Sequence, residues 1–188
     1  MGRQLAMGGA ALGAVTVLGV PLGLLWWMIA PRAEVTATGS GTTLPYPVSE
    51  TLFAAEGYFA IMTLVAGLVC GYVGYVVQYR FAAWLRADLR LATLLGLAVG
   101  AVAASLIAWG IGVALDAGDY ERALAAAERG DVISSGLQLR SHSALLLWPF
   151  VAVLQFGLFD AVSIWRHDLP HLRTDASEHG SAPAEWPR

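Results

Sequence analysis

The stretch Leu91–Leu115 reads LATLLGLAVGAVAASLIAWGIGVAL, and none of its side chains is charged. An α-helix rises 1.5 Å per residue, so about 20 apolar residues cross the ~30 Å hydrocarbon core of a bilayer. Helices buried in soluble proteins are seldom this long and this free of charge. The stretch therefore predicts a membrane-spanning helix.

Three further segments have the same character. Leu5–Ala30 has no charged residue, 53–77 has only Glu56 near its start, and 144–165 has only Asp160 near its end. We predict an all-α membrane protein, a four-transmembrane-helix bundle in one domain, with spans at about 5–30, 53–77, 91–115 and 144–165. The polar, proline-containing tail 166–188 is predicted to be disordered and cytoplasmic.

The composition agrees with a membrane protein. Of 188 residues 57% are hydrophobic and 13% are charged, against about one quarter charged in soluble domains. The single cysteine, Cys70, excludes a disulfide framework, and a net charge of -3 without a basic stripe argues against nucleic acid. The first span could be a cleaved signal peptide, but its apolar run exceeds the usual ~7–15 residues, which favours a retained anchor.

The arginines predict the orientation, because cytoplasmic flanks carry an excess of basic residues. The larger and closer set is Arg3, Arg80, Arg86, Arg90, Arg166 and Arg173. Both termini are therefore placed on the cytoplasmic side of the plasma membrane. The Arg80–Arg90 connection is predicted to be a short interfacial helix, with Arg80, Arg86 and Arg90 contacting lipid headgroups.

The two connections on the opposite side are predicted to form a small extracytoplasmic cap. Ala33–Thr38 alternates and is rich in β-branched residues, Gly39-Ser40-Gly41 supplies a turn, and Thr42–Leu44 can return as a short strand. Pro45 and Pro47 end this segment, and Ser49-Glu50 is typical of a helix N-cap.

The second outer connection has a helix-forming segment, Tyr120–Arg129, which Gly130-Asp131 ends, and a second candidate strand, Val132–Arg140. An unpaired strand edge tends to find a partner. We expect the two connections to pair with each other, and the alternative is another protein.

Small residues recur at four-residue spacing in the first three spans. They are Gly9, Gly13, Gly19, Gly23, Gly67, Gly71, Gly96 and Gly100. Such spacing forms a shallow face that lets two helix backbones approach closely in lipid. Packing within the bundle is the favoured interpretation, and a docking face for another subunit is the alternative. Pro21 is expected to kink the first span.

Three polar side chains lie inside the spans: Glu56, Gln155 and Asp160. An intramembrane carboxylate suggests function, but Asp160 precedes Arg166 by only about 9 Å of helix. We expect an ion pair with Arg80, Arg86 or Arg90 in preference to a proton or ion path. For Glu56 the expected partners are Arg32, Arg140 or His142. The two acids lie near opposite membrane faces, so they do not form an acid/base pair.

No pattern of catalytic residues is present in the sequence. His167 and His171 are separated by Pro170, and neither a His-Glu-x-x-His zinc motif nor a Gly-x-Ser-x-Gly nucleophile elbow occurs. We therefore predict no enzymatic activity, no cofactor and no metal site.

Several motifs carry a family resemblance. Pro31–Val35, the segment Phe53-Ala54-Ala55-Glu56-Gly57-Tyr58, the glycine-bearing third span and Leu147-Trp148-Pro149 resemble the actinobacterial four-span membrane proteins of unknown function, with Glu56 where an Asp is expected. The resemblance covers most of residues 15–160. LucB-like members are associated with Mce-type lipid importers, so it implies an accessory subunit and not the translocating core.

The functional expectation is a non-enzymatic accessory or assembly subunit of a larger cell-envelope membrane complex, with Mce-type lipid transport as the implied setting. The expected partners are the lipid bilayer and other membrane subunits. The alternative is a small oligomeric transporter or channel, in which Asp160 or Glu56 faces a wet cavity.

Overall fold

A computed structural model describes residues 2–38, 41–43, 51–85 and 89–165. Its four long helices are α1 (Gly2–Ile29), α2 (Thr51–Leu85), α3 (Arg90–Ala126) and α4 (Leu147–Trp165), and a 3-10 turn (His142–Leu146) precedes α4. All four segments are long and apolar enough to cross a membrane. The chain is therefore a multi-pass membrane protein built as a four-helix bundle, as the sequence predicts.

Some predictions fall outside the described residues and stay predictions. They concern Arg86, the turn residues Gly39 and Ser40, the prolines and N-cap of 44–50, the arginines Arg166 and Arg173, and the whole tail 166–188.

Two helices are longer than the predicted spans. The expectation of a separate interfacial helix from Arg80 is wrong as far as Leu85, because these residues are the last turns of α2. The helix predicted from Tyr120 is present as far as Ala126, but it is the continuous end of α3 and not a separate element. In both places the sequence has good helix formers where the hydrophobic run stops, so loss of hydropathy does not end the helix.

The cap is a three-stranded sheet, as the pairing of the two connections predicts. Its strands are β1 (Glu34–Thr38), β2 (Gly41–Thr43) and β3 (Val132–Ser134), in the order β2-β1-β3. Both neighbours run antiparallel to β1. The third strand is shorter than predicted, because the chain after Ser134 turns toward the helix ends. Val35 and Ala37 point from β1 into the protein and are buried.

The helices associate in two close pairs. α1 lies mainly against α3, and α2 lies mainly against α4, whereas α1 and α2 touch much less. We call the end of the bundle that carries the sheet the cap end. The end at which α1 begins and α2 leads to α3 is called the arginine end.

Candidate functional site

The interface between α1 and α3 is made by backbone meeting backbone. A Cβ atom added to Gly23 would lie 2.6 Å from the carbonyl oxygen of Ala108, and one added to Gly100 would lie 2.8 Å from that of Leu12. Gly19 faces Ala104, and Gly96 faces Gly8, even more closely. Side chains are excluded along this whole line, so dispersion contacts between the two backbones hold the helices together.

The interface between α2 and α4 uses the same device. A Cβ atom on Gly67 would lie 2.9 Å from the carbonyl oxygen of Trp148, and one on Gly71 would lie 2.6 Å from that of Ala152. The methylene carbons of Gln155 lie over Gly71 as well. Six of the eight glycines on which the packing prediction rests thus face other helices of the same chain.

Gly9 and Gly13 are exceptions. No atom of another residue lies within 4 Å of a Cβ built on either one, apart from chain neighbours and the local helix backbone. Packing within the bundle is therefore wrong for these two glycines, because the rotation of α1 presents Gly8 to α3, while the alternative of a docking face for another subunit stays a prediction.

An ion pair that the sequence did not predict lies at the cap end of α1. Arg32 Nε donates a hydrogen bond of 2.8 Å to Asp116 Oδ1, and Asp116 is 4% exposed. The Arg32 guanidinium also donates to the carbonyls of Trp27 and Ala30, at 2.9 and 3.1 Å. The other Asp116 oxygen accepts the backbone N–H of Leu137 at 2.5 Å. One buried carboxylate therefore joins α1, α3 and the chain after β3.

Glu56 holds the same region from α2. Its Oε1 accepts the backbone N–H groups of Arg140, at 2.6 Å, and Ser141, at 3.1 Å. Arg140 is thus the partner through its main chain and not through its guanidinium, while Arg32 is engaged by Asp116. The pairing with charged side chains that the sequence suggested for Glu56 is therefore replaced by capping of two backbone donors at the start of the 3-10 turn.

At the arginine end, Asp160 of α4 lies beside Arg90 of α3. Arg90 Nε is 3.4 Å from Asp160 Oδ1, and both side chains are about one-fifth exposed. This is one of the three arginines expected for Asp160. Arg80 is exposed on the last turns of α2.

The cavities are of two kinds, polar and apolar. The first, about 270 Å³, lies under the cap sheet and is lined largely by polar groups, including Arg32, Thr42, Tyr120, Gln138 and Arg140. Within the described part of the chain, no group of three or more His, Cys, Asp or Glu residues is placed to hold a metal ion.

The second is an apolar groove between α1 and α2, which we call the α1–α2 groove. A cavity of about 390 Å³ extends from Met7 to Leu18 along α1, and another of about 430 Å³ continues from Leu18 to Leu25. The two cavities share Leu18, Val69 and Cys70, so they form one track along the bundle. α3 supplies its floor at the arginine end through Thr93 and Leu97.

Comparison of the chain with protein-family models, curated proteins and solved structures gave no match. The site residues are therefore interpreted from their own geometry.

Two features escaped the sequence analysis. The Arg32–Asp116 pair was missed because the two residues lie beyond different predicted spans. Asp116 is followed by several other acids, and it alone of these is buried on the inner face of the extended α3. A helical reading continued past Leu115 would have placed Asp116 in line with the buried Gly112 and Ala108. The α1–α2 groove has no counterpart in a linear pattern.

Proposed function

We propose that this protein is a non-enzymatic accessory or assembly subunit of a larger cell-envelope membrane complex. The resemblance at Pro31–Val35 and Phe53–Tyr58 supports an Mce-type lipid importer as that complex. The observation that carries the proposal is the division of the molecule into a bundle packed by backbone contact and a cap fixed to it by charge. A rigid platform at one membrane face suits assembly with other subunits.

The cap is tied to the bundle at two points, and α1 is joined to α2 beside them. The Asp116 carboxylate accepts hydrogen bonds from the Arg32 guanidinium and the Leu137 N–H. The Glu56 carboxylate accepts hydrogen bonds from the N–H groups of Arg140 and Ser141. The indole of Trp26 donates to the carbonyl of Ala55 at 2.9 Å. Hydrogen bonds to charged groups contribute about 1.5–3 kcal/mol each when buried, so the sheet has a defined position relative to the helices.

The sheet order leaves the outer edges of β2 and β3 without a neighbouring strand in the described part of the chain. The β1–β3 register, with the Ser135 N–H donating to Ala33, directs the N–H groups of Val132 and Ser134 toward the open edge. An extended segment of a partner subunit can add there as a further strand.

The test is affinity purification of the tagged full chain from its native membrane in mild detergent, with mass spectrometry of the proteins that elute with it. We expect membrane or envelope proteins in fixed ratio to the chain, and their loss in Ser134→Pro, which removes one outward N–H. Ser134→Thr keeps that N–H and should retain them. A monomer without companions in every detergent would contradict the proposal.

The transporter or channel alternative receives less support. It requires Asp160 or Glu56 to face a wet cavity, yet Asp160 lies beside Arg90 and Glu56 caps backbone donors. Neither residue lines the cap cavity or the α1–α2 groove. Unchanged flux in proteoliposomes after both Asp160→Asn and Glu56→Gln would count against it.

The orientation is part of the proposal. The arginine end is placed in the cytoplasm and the cap outside, as the arginine distribution predicts. A membrane-impermeant thiol reagent on intact cells should label a cysteine introduced at Ser134 but not one introduced at Gly2. The reverse pattern would overturn this orientation.

A further inference from the structure

The α1–α2 groove has the cross-section of a single hydrocarbon chain. Its first cavity has about 390 Å³ between Met7 and Leu18, a length of about 16 Å at 1.5 Å per residue, which leaves roughly 25 Å² across. An α-helix with its side chains is about 10–12 Å wide, or on the order of 100 Å². The backbone of a partner's transmembrane helix therefore cannot enter this space.

The walls of the groove are arranged as an open channel on the lipid-facing side. The rim residues Leu18, Val69 and Val73 are 46%, 55% and 49% exposed, whereas the floor residues Val15 and Cys70 are each 7% exposed. Lining side chains are almost all aliphatic or aromatic. Water finds almost no hydrogen-bond partners in such a space. A flexible hydrocarbon chain can enter it sideways from the bilayer.

Three lining residues carry a polar group, namely Cys70, Trp148 and, at the arginine end, Thr93. Thr93 lies in the floor at the arginine end, is 2% exposed, and its Oγ1 forms no hydrogen bond within the described part of the chain. The common back-bond of a helical Thr to a carbonyl one turn earlier is absent there, whereas Thr63 makes such a bond to Phe59 at 2.8 Å. A buried hydroxyl without a partner costs about 1–3 kcal/mol.

The depth of Thr93 fits the ester region of a lipid. It lies three residues, or about 4.5 Å, beyond Arg90 along α3, and Arg90 begins the helix at the arginine end. Lipid ester carbonyls lie just inside the charged headgroups, and they accept hydrogen bonds. Thr93 Oγ1 is itself sealed from the groove, so the side chain must rotate about χ1, between the two rotamers open to a helical Thr, to bring its hydroxyl into the groove. In that rotamer the groove offers a donor at the depth of the ester and an apolar track leading away from it.

We propose that the α1–α2 groove holds one acyl chain of a glycerophospholipid, with the Thr93 hydroxyl donating a hydrogen bond to its ester carbonyl. The chain enters at Met7 and Phe81 and runs toward Cys70, where the second cavity continues the track. This inference concerns lipid alone, and it stands whether or not the chain assembles with other subunits.

The first experiment reconstitutes the full chain in nanodiscs of phosphatidylethanolamine and phosphatidylglycerol with a trace of phosphatidylcholine carrying a mid-chain diazirine. After illumination, mass spectrometry maps the adducts. We expect them to be several-fold enriched at Val69 and Val73, and at the buried Cys70, over Leu154 and Leu158 of α4, whose exposure matches that of the two valines. Ala11→Phe fills the groove and should abolish the enrichment, whereas Gly13→Phe, on the same helix but in open space, should not.

The second experiment tests the polar contact and does not depend on a filled groove folding correctly. Native mass spectrometry compares retention of ester-linked and ether-linked phosphatidylglycerol with identical chains. We expect wild type to prefer the ester lipid about fivefold, equivalent to the ~1 kcal/mol of one hydrogen bond, and Thr93→Val to lose that preference while retaining the lipid. Thr63→Val is the control, because its hydroxyl is already bonded within α2.

Two results would overturn the proposal. Adducts spread evenly over the exposed faces of α1, α2 and α4, unchanged by Ala11→Phe, would show only annular lipid. Equal retention of the ester and ether lipids by wild type would remove Thr93 from the contact.

Discussion

The two sides of α1 meet their neighbours in opposite ways. Toward α3, Gly19 and Gly23 lie directly on the backbone of Ala104 and Ala108. Toward α2, the helix also presents small residues, Ala10, Ala11 and Ala14, yet a groove of about 390 Å³ stays open.

The difference lies in the facing helix. α3 presents Gly96, Gly100, Ala104 and Ala108 to α1, so small meets small and the backbones touch. α2 presents Val69, Val73, Val77 and Phe81 along the groove, and the two helices touch little there. A small-residue face therefore closes an interface in lipid only when its partner is small as well. Between α1 and α2 the small residues of one side alone leave a groove, whereas the apolar cavity of about 700 Å³ beside the α1–α3 seam lies outside the closed backbone contact and is lined by flanking side chains such as Leu5, Leu91 and Val99.

The largest expected effect tests the closed side. Gly96→Leu drives a side chain into the backbone of Gly8, where neither helix can yield without separating, so we expect a loss of at least about 3 kcal/mol in the free energy of unfolding. Denaturant titration of the purified chain in detergent measures it. Gly13→Leu, in open space on α1, should change stability by less than about 1 kcal/mol. Similar losses in both variants would break the comparison.

The next effect tests how the cap end of α1 is fixed to α3. Asp116→Ala leaves Arg32 without its acid and the N–H of Leu137 without an acceptor. We expect a loss of about 2–4 kcal/mol, somewhat below a fully buried pair because the Arg32 side chain is 28% exposed. Asp119→Ala breaks the exposed pair with Arg122 and should cost at most about 0.5 kcal/mol. Thermal unfolding of the two variants side by side distinguishes these outcomes.

A smaller effect tests the one place where α1 and α2 are joined firmly. Trp26 is fully buried, donates to the carbonyl of Ala55, and packs edge-on against Phe59 with ring centroids 5.0 Å apart. Trp26→Phe should cost about 1–2 kcal/mol through the lost hydrogen bond and the space left behind.

Its control is the adjacent tryptophan. The indole N–H of Trp27 is buried without a hydrogen-bond partner among the described residues, so Trp27→Phe should be neutral or slightly stabilising. A greater loss from Trp27→Phe than from Trp26→Phe would contradict the assigned contacts.

The sequence was sufficient for the elements governed by hydropathy and by strand alternation. The four spans and the pairing of Glu34–Thr38 with Val132–Ser134 follow from such local patterns. Helix ends in the connections were harder, because Tyr120 and its neighbours favour helix whether or not the bilayer continues.

The glycine contacts show why the remainder was not accessible. A spacing of four identifies a face but not its direction, so Gly9 and Gly13 resembled Gly19 and Gly23 in the sequence although they point elsewhere. The Arg32–Asp116 pair and the α1–α2 groove depend on the rotation and separation of helices. Those quantities are fixed by packing between residues far apart in the chain.

The most direct test of the central claim is a matched series of substitutions at two positions of α1. Gly19 is replaced by Ala, Val and Leu, and Ala11 by Val, Leu and Phe, and the free energy of unfolding is measured for each variant in the same detergent. At Gly19, on the closed side, we expect the free energy of unfolding to fall steeply as the side chain grows. At Ala11, on the open side, we expect it to change little. An equal fall in the free energy of unfolding with side-chain size at the two positions would contradict this difference between the closed and open sides.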